Sequence, residues 1–348
     1  MPTYYAALSD RLLVGDGEWT ERLRGHDIEC VAADRHAPSR VLVGTAERGL
    51  QRSIDGGESW QRVLDPSANG GQSADRVTSV TVSPHDPDVV WAGTEPSAVY
   101  RSTDGGSSWT EREGLTDLDS APGWSFPPRP HTHHVRWIAV APDDPDQLYV
   151  AIEAGAFVRS EDGGESWRDH PEGGRYDTHT IATHPDAPDR VYAAAGDGYA
   201  LSTDRGETWN SVEPRSTNDA SGGQPRAPQD GLDHRYVWSV AVHPEDPDTV
   251  VVSAARGARS AHSTTGESYV YRTTGEGWES AMDGLPEPDG LARAVLATDG
   301  DGFAALSNHG LFRSVDGVTW QQVGRWTDAF DQVPRGLAVV RPPRRAGR

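Results

Sequence analysis

Four near-copies of one pattern, Ser-x-Asp-x-Gly-x-(Ser/Thr)-Trp, occupy residues 53–60, 102–109, 160–167 and 202–209. Shortened versions follow at 273–278 and 314–320, and a vestige, Gly15-Asp16-Gly17-Glu18-Trp19, comes first. A turn repeated this faithfully makes the fold periodic, because each copy serves the same place in a stacked unit. The tryptophans that close the turns stand at 19, 60, 109, 167, 209, 278 and 320, so three of their spacings are 41 or 42 residues and the others are longer. A basal period of that length with insertions suits one four-stranded propeller blade per repeat.

Strand signals inside the repeats agree. The third repeat has β-branched or aromatic runs at 77–82, 89–94, 99–102 and 109–113, separated by Pro, Gly and Asp, with no segment of helical period. First strands are expected at 28–33, 135–140, 178–183, 237–242 and 292–297, and second strands at 40–45, 147–152, 190–195, 249–254 and 302–307. The first repeat lacks its first strand, whereas 335–340 is left over after the last tryptophan. The two ends therefore complete one blade together, which closes the ring and hides sheet edges. The expectation is an all-β, seven-bladed propeller of four-stranded antiparallel blades spanning 1–342, with 343–348 a short basic tail.

Composition narrows the function. The formal net charge is −21, there is no lysine, and all 32 basic residues are arginine. Such a surface disfavours nonspecific nucleic-acid binding, which needs clustered positive charge. It also suits a high-salt cytoplasm, where salt screens self-repulsion; a GC-rich coding sequence is the alternative source of the arginine bias. The single cysteine, Cys30, excludes an internal disulfide framework and a Cys-based zinc site. No apolar run is long enough to cross a membrane, and the first residues lack a basic region followed by an apolar core, so a cytoplasmic protein is expected.

The turns resemble the Asp-box, or BNR, repeat of sialidases, sortilin-type receptors, xyloglucanases and the photosystem II assembly factor family, over nearly the whole chain. The resemblance implies a propeller in which Asp55, Asp104, Asp162, Asp204 and Asp316 are structural. Their logic is also local: a carboxylate accepts backbone N–H bonds, the glycines permit positive φ, and the Trp packs between neighbouring blades. Acids repeated in every blade serve every blade alike, which argues against chemistry at the boxes. The chain departs from sialidases in lacking their Arg-Ile-Pro motif and in having seven blades rather than six. Xyloglucanases pair two propellers around a cleft, whereas this chain holds one.

The loops divide by face. Turns between first and second strands share the face of the boxes and are short, and their histidines His36, His85, His184 and His243 read as structural or exposed. The opposite face carries the long loops 64–76, 114–134, 170–177, 214–236 and 256–268, where binding residues usually sit. Aligning the first strands puts Glu29, Thr78, Arg136, His179, Trp238 and Arg293 at one position, with Gly336 in the closing strand. Asp27, Arg76, His134, Asp177 and Tyr236 stand one or two residues earlier. First strands line the axis, so these side chains should converge at one mouth of the channel.

The densest stretch there is residues 126–137, Phe-Pro-Pro-Arg-Pro-His-Thr-His-His-Val-Arg-Trp. The ligand-binding candidates are therefore His131, His133, His134, Arg136, Asp177 and His179, joined by His234, Arg235, Trp238 and Arg293. Candidate catalytic groups are His134 or His179 as base, Arg136 for anion stabilisation, and Asp177 and Glu29. His131, His133, His134 and His179 are the candidate ligands for a divalent metal. The leading expectation is binding of a polar or anionic small ligand or a protein partner at this mouth. The alternative is a hydrolase on the same face, glycosidase-like through two of Asp27, Glu29, Asp177, Asp230 and Asp233, or His/Asp-dependent.

Overall fold

The computed structural model describes residues 2–34, 36–66, 76–209, 229–326 and 332–341. The tail 343–348 and parts of loops 64–76 and 214–236 lie outside the described residues. The described residues form seven antiparallel sheets, five of four strands and two of three. The innermost strands of successive sheets touch in a closed ring. This is a seven-bladed β-propeller.

Closure uses both ends of the chain. Gly336–Val340 pairs with Thr3–Ala7, which pairs with Leu12–Gly15 and then Trp19–Arg22. Blade 2 runs Ile28–Asp34, Ala37–Thr45, Leu50–Ser53 and Gln61–Leu64. Blade 3 runs Arg76–Val82, Val90–Glu95, Val99–Ser102 and Thr110–Arg112. Blade 4 has Val135–Val140, Leu148–Ile152 and Ala156–Ser160, and its fourth strand is reduced to a bridge between Arg159 and Arg168. Blade 5 has Thr178–Thr183, Val191–Ala195 and Gly198–Ser202; the chain after Trp209, where its fourth strand was expected, is not described. Blade 6 holds Tyr236–His243, Asp246–Ala255, Tyr269–Thr273 and Trp278–Ser280, and blade 7 Val295–Thr298, Phe303–Ser307, Gly310–Ser314 and Gln321–Gly324. A four-residue helix, Ala258–Ala261, and two 3-10 turns, Leu115–Asp117 and Ala121–Gly123, lie in the loops of the face opposite the repeated turns; the strand-only pattern of the sequence had no sign of them.

Each repeated turn is a closed hydrogen-bond unit. In blade 4, Ser160 Oγ donates to Asp162 Oδ1 at 2.8 Å and accepts from Gly164 N at 2.8 Å. Asp162 Oδ1 then accepts from Ser166 N, and Oδ2 accepts from Ser166 Oγ. The same Ser–Gly bond, also 2.8 Å, recurs at Gly57, Gly106, Gly206 and Gly317. Gly163 and Gly164 sit at φ +68° and +81°, where a Cβ is strained. Arg205 takes the first of these positions in blade 5 at φ +60°, held by ion pairs to Asp189 at 2.7 Å and to Asp143 of blade 4 at 2.6 Å. The turns bond to the turns between first and second strands, as in Gly163 N to Asp146 O and Gly105 N to Asp88 O, so both sets share one face.

The tryptophans close the seams between blades. Seven apolar clusters each join two adjacent blades, and each contains one of the seven. Trp209 packs edge-on against Phe157 at 4.8 Å, with Tyr149 and Ile181 in the same cluster between blades 4 and 5. Burying each such side chain contributes about 1.5–3 kcal/mol, so most cohesion between sheets lies in these seams.

Because Ser160 is fully buried, its hydroxyl leaves the Gly164 N–H without an acceptor when removed. Ser160→Ala should destabilise by about 1–3 kcal/mol in urea unfolding. A cost below about 0.5 kcal/mol, within the range of an ordinary surface change, would show that the turn does not rest on this bond.

Candidate ligand-binding site at the channel mouth

A register shift recurs at one place in the innermost strands of blades 2 to 6. It falls between Ile28 and Cys30, Val77 and Ser79, Val135 and Trp137, Thr178 and Thr180, and Val237 and Ser239. The residues left without a partner are Glu29, Thr78, Arg136, His179 and Trp238. A one-residue bulge bends its strand and re-aims the extra side chain, here toward the axis. Neighbouring blades are keyed together at this level. Thr78 Oγ1 donates to Val135 O at 2.6 Å, and His179 Nδ1 lies 2.8 Å from Val237 O. In both cases the acceptor is the carbonyl just before the next blade's bulge.

The side chains surround a cavity of about 560 Å³ at the ends of the inner strands away from the repeated turns. Its wall includes Asp27, Glu29, Arg76, Thr78, His134, Arg136, Glu153, Asp177, Tyr236, Trp238, Arg293 and Arg335. The corner Phe126–Arg129 and the short helix region, with Arg259 and His262, complete it.

On one side the charges are paired. Glu29 bonds Arg76, which lies 3.6 Å from Glu95, and Glu95 takes both arms of Arg129 at 2.7 and 2.6 Å. Burial pushes the Glu95 carboxyl up, but the Arg129 fork outweighs it, assisted by His134 and Arg76, and the net shift is downward. Glu153 is likewise held ionised: burial opposes the charge, yet the His134 hydrogen bond and charge, with Arg136, hold it well below the usual carboxylate range. His134 Nε2 and Arg136 Nε reach Glu153 Oε2 at 3.0 and 3.3 Å.

The other side carries an uncompensated cation. Arg293 is 1% exposed, and no carboxylate of the described residues lies within ion-pair distance of it. Its Nη1 donates to Pro334 O at 2.7 Å, its Nε makes no hydrogen bond, and its guanidinium lies 3.6 Å from the centre of the Trp238 ring. Arg136 stacks on the same ring at 4.7 Å. Burial, with Arg136 and Arg335 nearby, pulls the Arg293 pKa well below the ordinary guanidinium range, as expected where a counter-anion is missing. His262 packs edge-on against Trp238 at 4.5 Å, and burial followed by Arg293 drives its pKa down to about 2. The ring is therefore neutral. Tyr236, whose ionisation is pushed up by burial and by Glu153 and Asp177, shares a hydrogen bond between its hydroxyl and His262 Nε2 at 3.2 Å.

Of the residues singled out from the sequence, Glu29, His134, Arg136, Asp177, Trp238 and Arg293 line the cavity. His179 lies fully buried in its wall, 4.5 Å from the Trp238 ring and 4.9 Å from that of Tyr236. His131, His133, His234 and Arg235, also expected there, are not among the residues that line it. Residues 126–132 close into tight turns that aim Arg129 at the cavity and leave His131 exposed. His133 packs edge-on against Trp124 at 5.5 Å and accepts at Nδ1 from Ser97 N at 3.4 Å. His234 stacks on Tyr269 at 3.8 Å, and Arg235 is exposed. The metal ligand set changes too: among the described residues the metal-type donors that converge are Glu153, Asp177 and His179. His131 and His133 lie elsewhere, and His134 bonds Glu153 instead.

Sequence reasoning missed Glu95, Glu153 and Arg335, whereas Arg129 and His262 stood in loops it had assigned to this face. Glu95 and Glu153 had a usable signal, an acid at the end of a buried second strand, in Val-Trp-Ala-Gly-Thr-Glu95 and Leu-Tyr-Val-Ala-Ile-Glu153. His262 follows the short helix Ala258–Ala261 within loop 256–268, and that helix sets its contact with Trp238.

No family model and no curated protein matches the sequence. The fold is similar to solved propellers. The GH74 enzyme of Niastella koreensis is 15% identical with TM-score 0.66, over 92% of this chain and 52% of that one. The GH74 xyloglucanase of Xanthomonas campestris is 18% identical with TM-score 0.61, over 92% and 52%. YCF48 bound to D1 peptide is 16% identical with TM-score 0.55, over 87% and 86%. The chain thus spans about half the length of these GH74 structures. At these identities the likeness establishes the propeller fold and no activity. No helix among the described residues is long and apolar enough to cross a membrane.

The Glu95–Arg129 pair supplies a pH test. A carboxyl depressed in the fold contributes stability that is fully present above its unfolded value, about 4.3, and lost as pH falls through the folded value. Glu95→Gln should therefore lie about 1–3 kcal/mol below wild type in urea unfolding at pH 7, the gap narrowing below about pH 4. A gap that stays constant down to pH 3 would show that Glu95 is not held ionised by its arginines.

Proposed function

We propose that the channel mouth binds an anionic ligand, a small carboxylate or phosphate ester or the carboxylate of a peptide. Arg293 and Arg136 meet its charge, and Trp238 offers a stacking surface. The observation that carries this reading is Arg293, a nearly inaccessible guanidinium without a carboxylate partner among the described residues. A buried unpaired charge costs several kcal/mol, a cost that an anion in the cavity offsets. The cavity of about 560 Å³ suits a small molecule or a chain end. A peptide partner finds support in the YCF48 fold likeness, since that propeller is bound to a D1 peptide. We also read the repeated turns as Asp boxes, on the Ser–Asp–Gly bonding that recurs with one geometry.

Hydrolysis is the second reading. Oxygens of Glu153 and Asp177 lie within 4.8 Å of each other, which is close to the separation used by retaining glycosidases. In that chemistry Glu153, held ionised, fits the nucleophile, which leaves the partly exposed Asp177 for the acid. Binding is the better supported function, because the buried Arg293 guanidinium calls for an anion whether or not a bond is cleaved.

Thermal denaturation with sugar acids, small dicarboxylates and phosphate esters, each beside its neutral parent, tests the proposal. Anions that bind should stabilise by about 2.7 kcal/mol at a hundredfold excess over Kd. Arg293→Met should remove that effect while leaving the unliganded protein as stable as wild type or more so. Equal stabilisation by a sugar acid and its neutral sugar, or an undiminished anion effect in Arg293→Met, would overturn it.

A further inference from the structure

We propose that Glu153, Asp177 and His179 form a site for a divalent transition metal in the wall of the cavity, with an open coordination position facing the channel. One donor atom from each lies within 4.8 Å of the others. They arrive from two adjacent blades: Glu153 follows the second strand of blade 4, and Asp177 and His179 stand at the start of the first strand of blade 5.

The tautomer of His179 is set from behind. Its Nδ1 lies 2.8 Å from Val237 O, and a carbonyl only accepts, so Nδ1 carries the proton. Nε2 then presents a lone pair. The ring is fully buried, and Nε2 makes no hydrogen bond, although Asp177 Oδ2 lies 3.5 Å away. A lone pair facing a carboxylate oxygen is a repulsive arrangement that a cation between them removes.

The two carboxylates are oriented in the same way. Ala154 N donates to Asp177 Oδ1 at 3.1 Å, which leaves Oδ2, the oxygen beside His179. His134 and Arg136 both take Oε2 of Glu153, which leaves Oε1. Each candidate ligand thus has one atom tied to a supporting group and another left to coordinate, the pattern that positions ligands in protein metal sites. Gly196 fits this arrangement, since a Cβ there would collide with Asp177 Oδ2. Two carboxylates and a neutral imidazole match the charge of a divalent ion. The imidazole favours zinc, manganese, iron or cobalt over calcium and magnesium, which prefer oxygen-only shells. Three protein ligands leave room for water or a bound anion in a further position.

Isothermal titration of chelator-stripped protein with zinc chloride and with cobalt chloride, in phosphate-free buffer, tests the site, with the cobalt absorption spectrum as a second readout. One metal per chain should bind, with visible bands from cobalt in an imidazole-containing site. Asp177→Asn, at a partly exposed position, and His179→Ala should each weaken binding by at least about tenfold. His133→Ala should leave it unchanged, and Arg293→Met should not weaken it, since loss of a nearby cation can only favour a metal ion, so failure of the anion reading does not touch this one. If wild type takes up no stoichiometric metal, or Asp177→Asn binds as tightly as wild type, the proposal falls, and a proton on His179 Nε2 fills the space between the two side chains.

Discussion

The pairing of Gly336–Val340 with Thr3–Ala7 is the contact on which the rest of the molecule depends. Without it blade 1 has no inner strand, and the seams on either side of blade 1, built around Trp19 and Trp60, lose one wall. Its effect reaches the cavity directly. Arg335 precedes the closing strand and approaches Glu29 at 3.9 Å, and Pro334 O accepts from Arg293. One end of the chain therefore both closes the ring and anchors the buried guanidinium of the mouth. Edge closure is a general demand on sheets, but here it also decides which charges meet.

The mouth is divided electrostatically. Glu29, Arg76, Glu95 and Arg129 form a paired network that holds the loop corner 126–129 over the channel. Arg293 and Arg136 share the Trp238 ring, and Arg293 has no carboxylate to neutralise it. The paired half is rigid support, whereas the unpaired half has free energy to gain from a ligand. Proteins retain such imbalance where function requires it, at a cost to stability.

Much of this was legible in the chain. The tryptophan spacing placed Glu29, Thr78, Arg136, His179 and Trp238 at one aligned position, and the structure finds each on the same bulge. That succeeded because a repeat transfers register from blade to blade. The histidine-rich stretch at 131–134 misled for the opposite reason. It belongs to an insertion without a repeat, so only its hydrogen-bonded turns decide that His134 and Arg129 line the cavity while His131 and His133 do not. Glu153 and Glu95 stand at strand ends, where direction depends on how the following turn leaves the sheet.

By itself the sequence determined the period, the seven blades, the joining of the two ends and the turns that the repeated acids close. These follow from local chemistry: a Ser–Asp–Gly turn closes on its own atoms, and alternating apolar residues form strands wherever they occur. Only the tertiary structure decided which side chains share the cavity, which arginine lacks a partner and which nitrogen of His179 is bare. Those properties arise between blades, from a bulge in one strand and a carbonyl in the next. No stretch of chain contains both halves of such a contact, so its geometry exists only once the ring has closed.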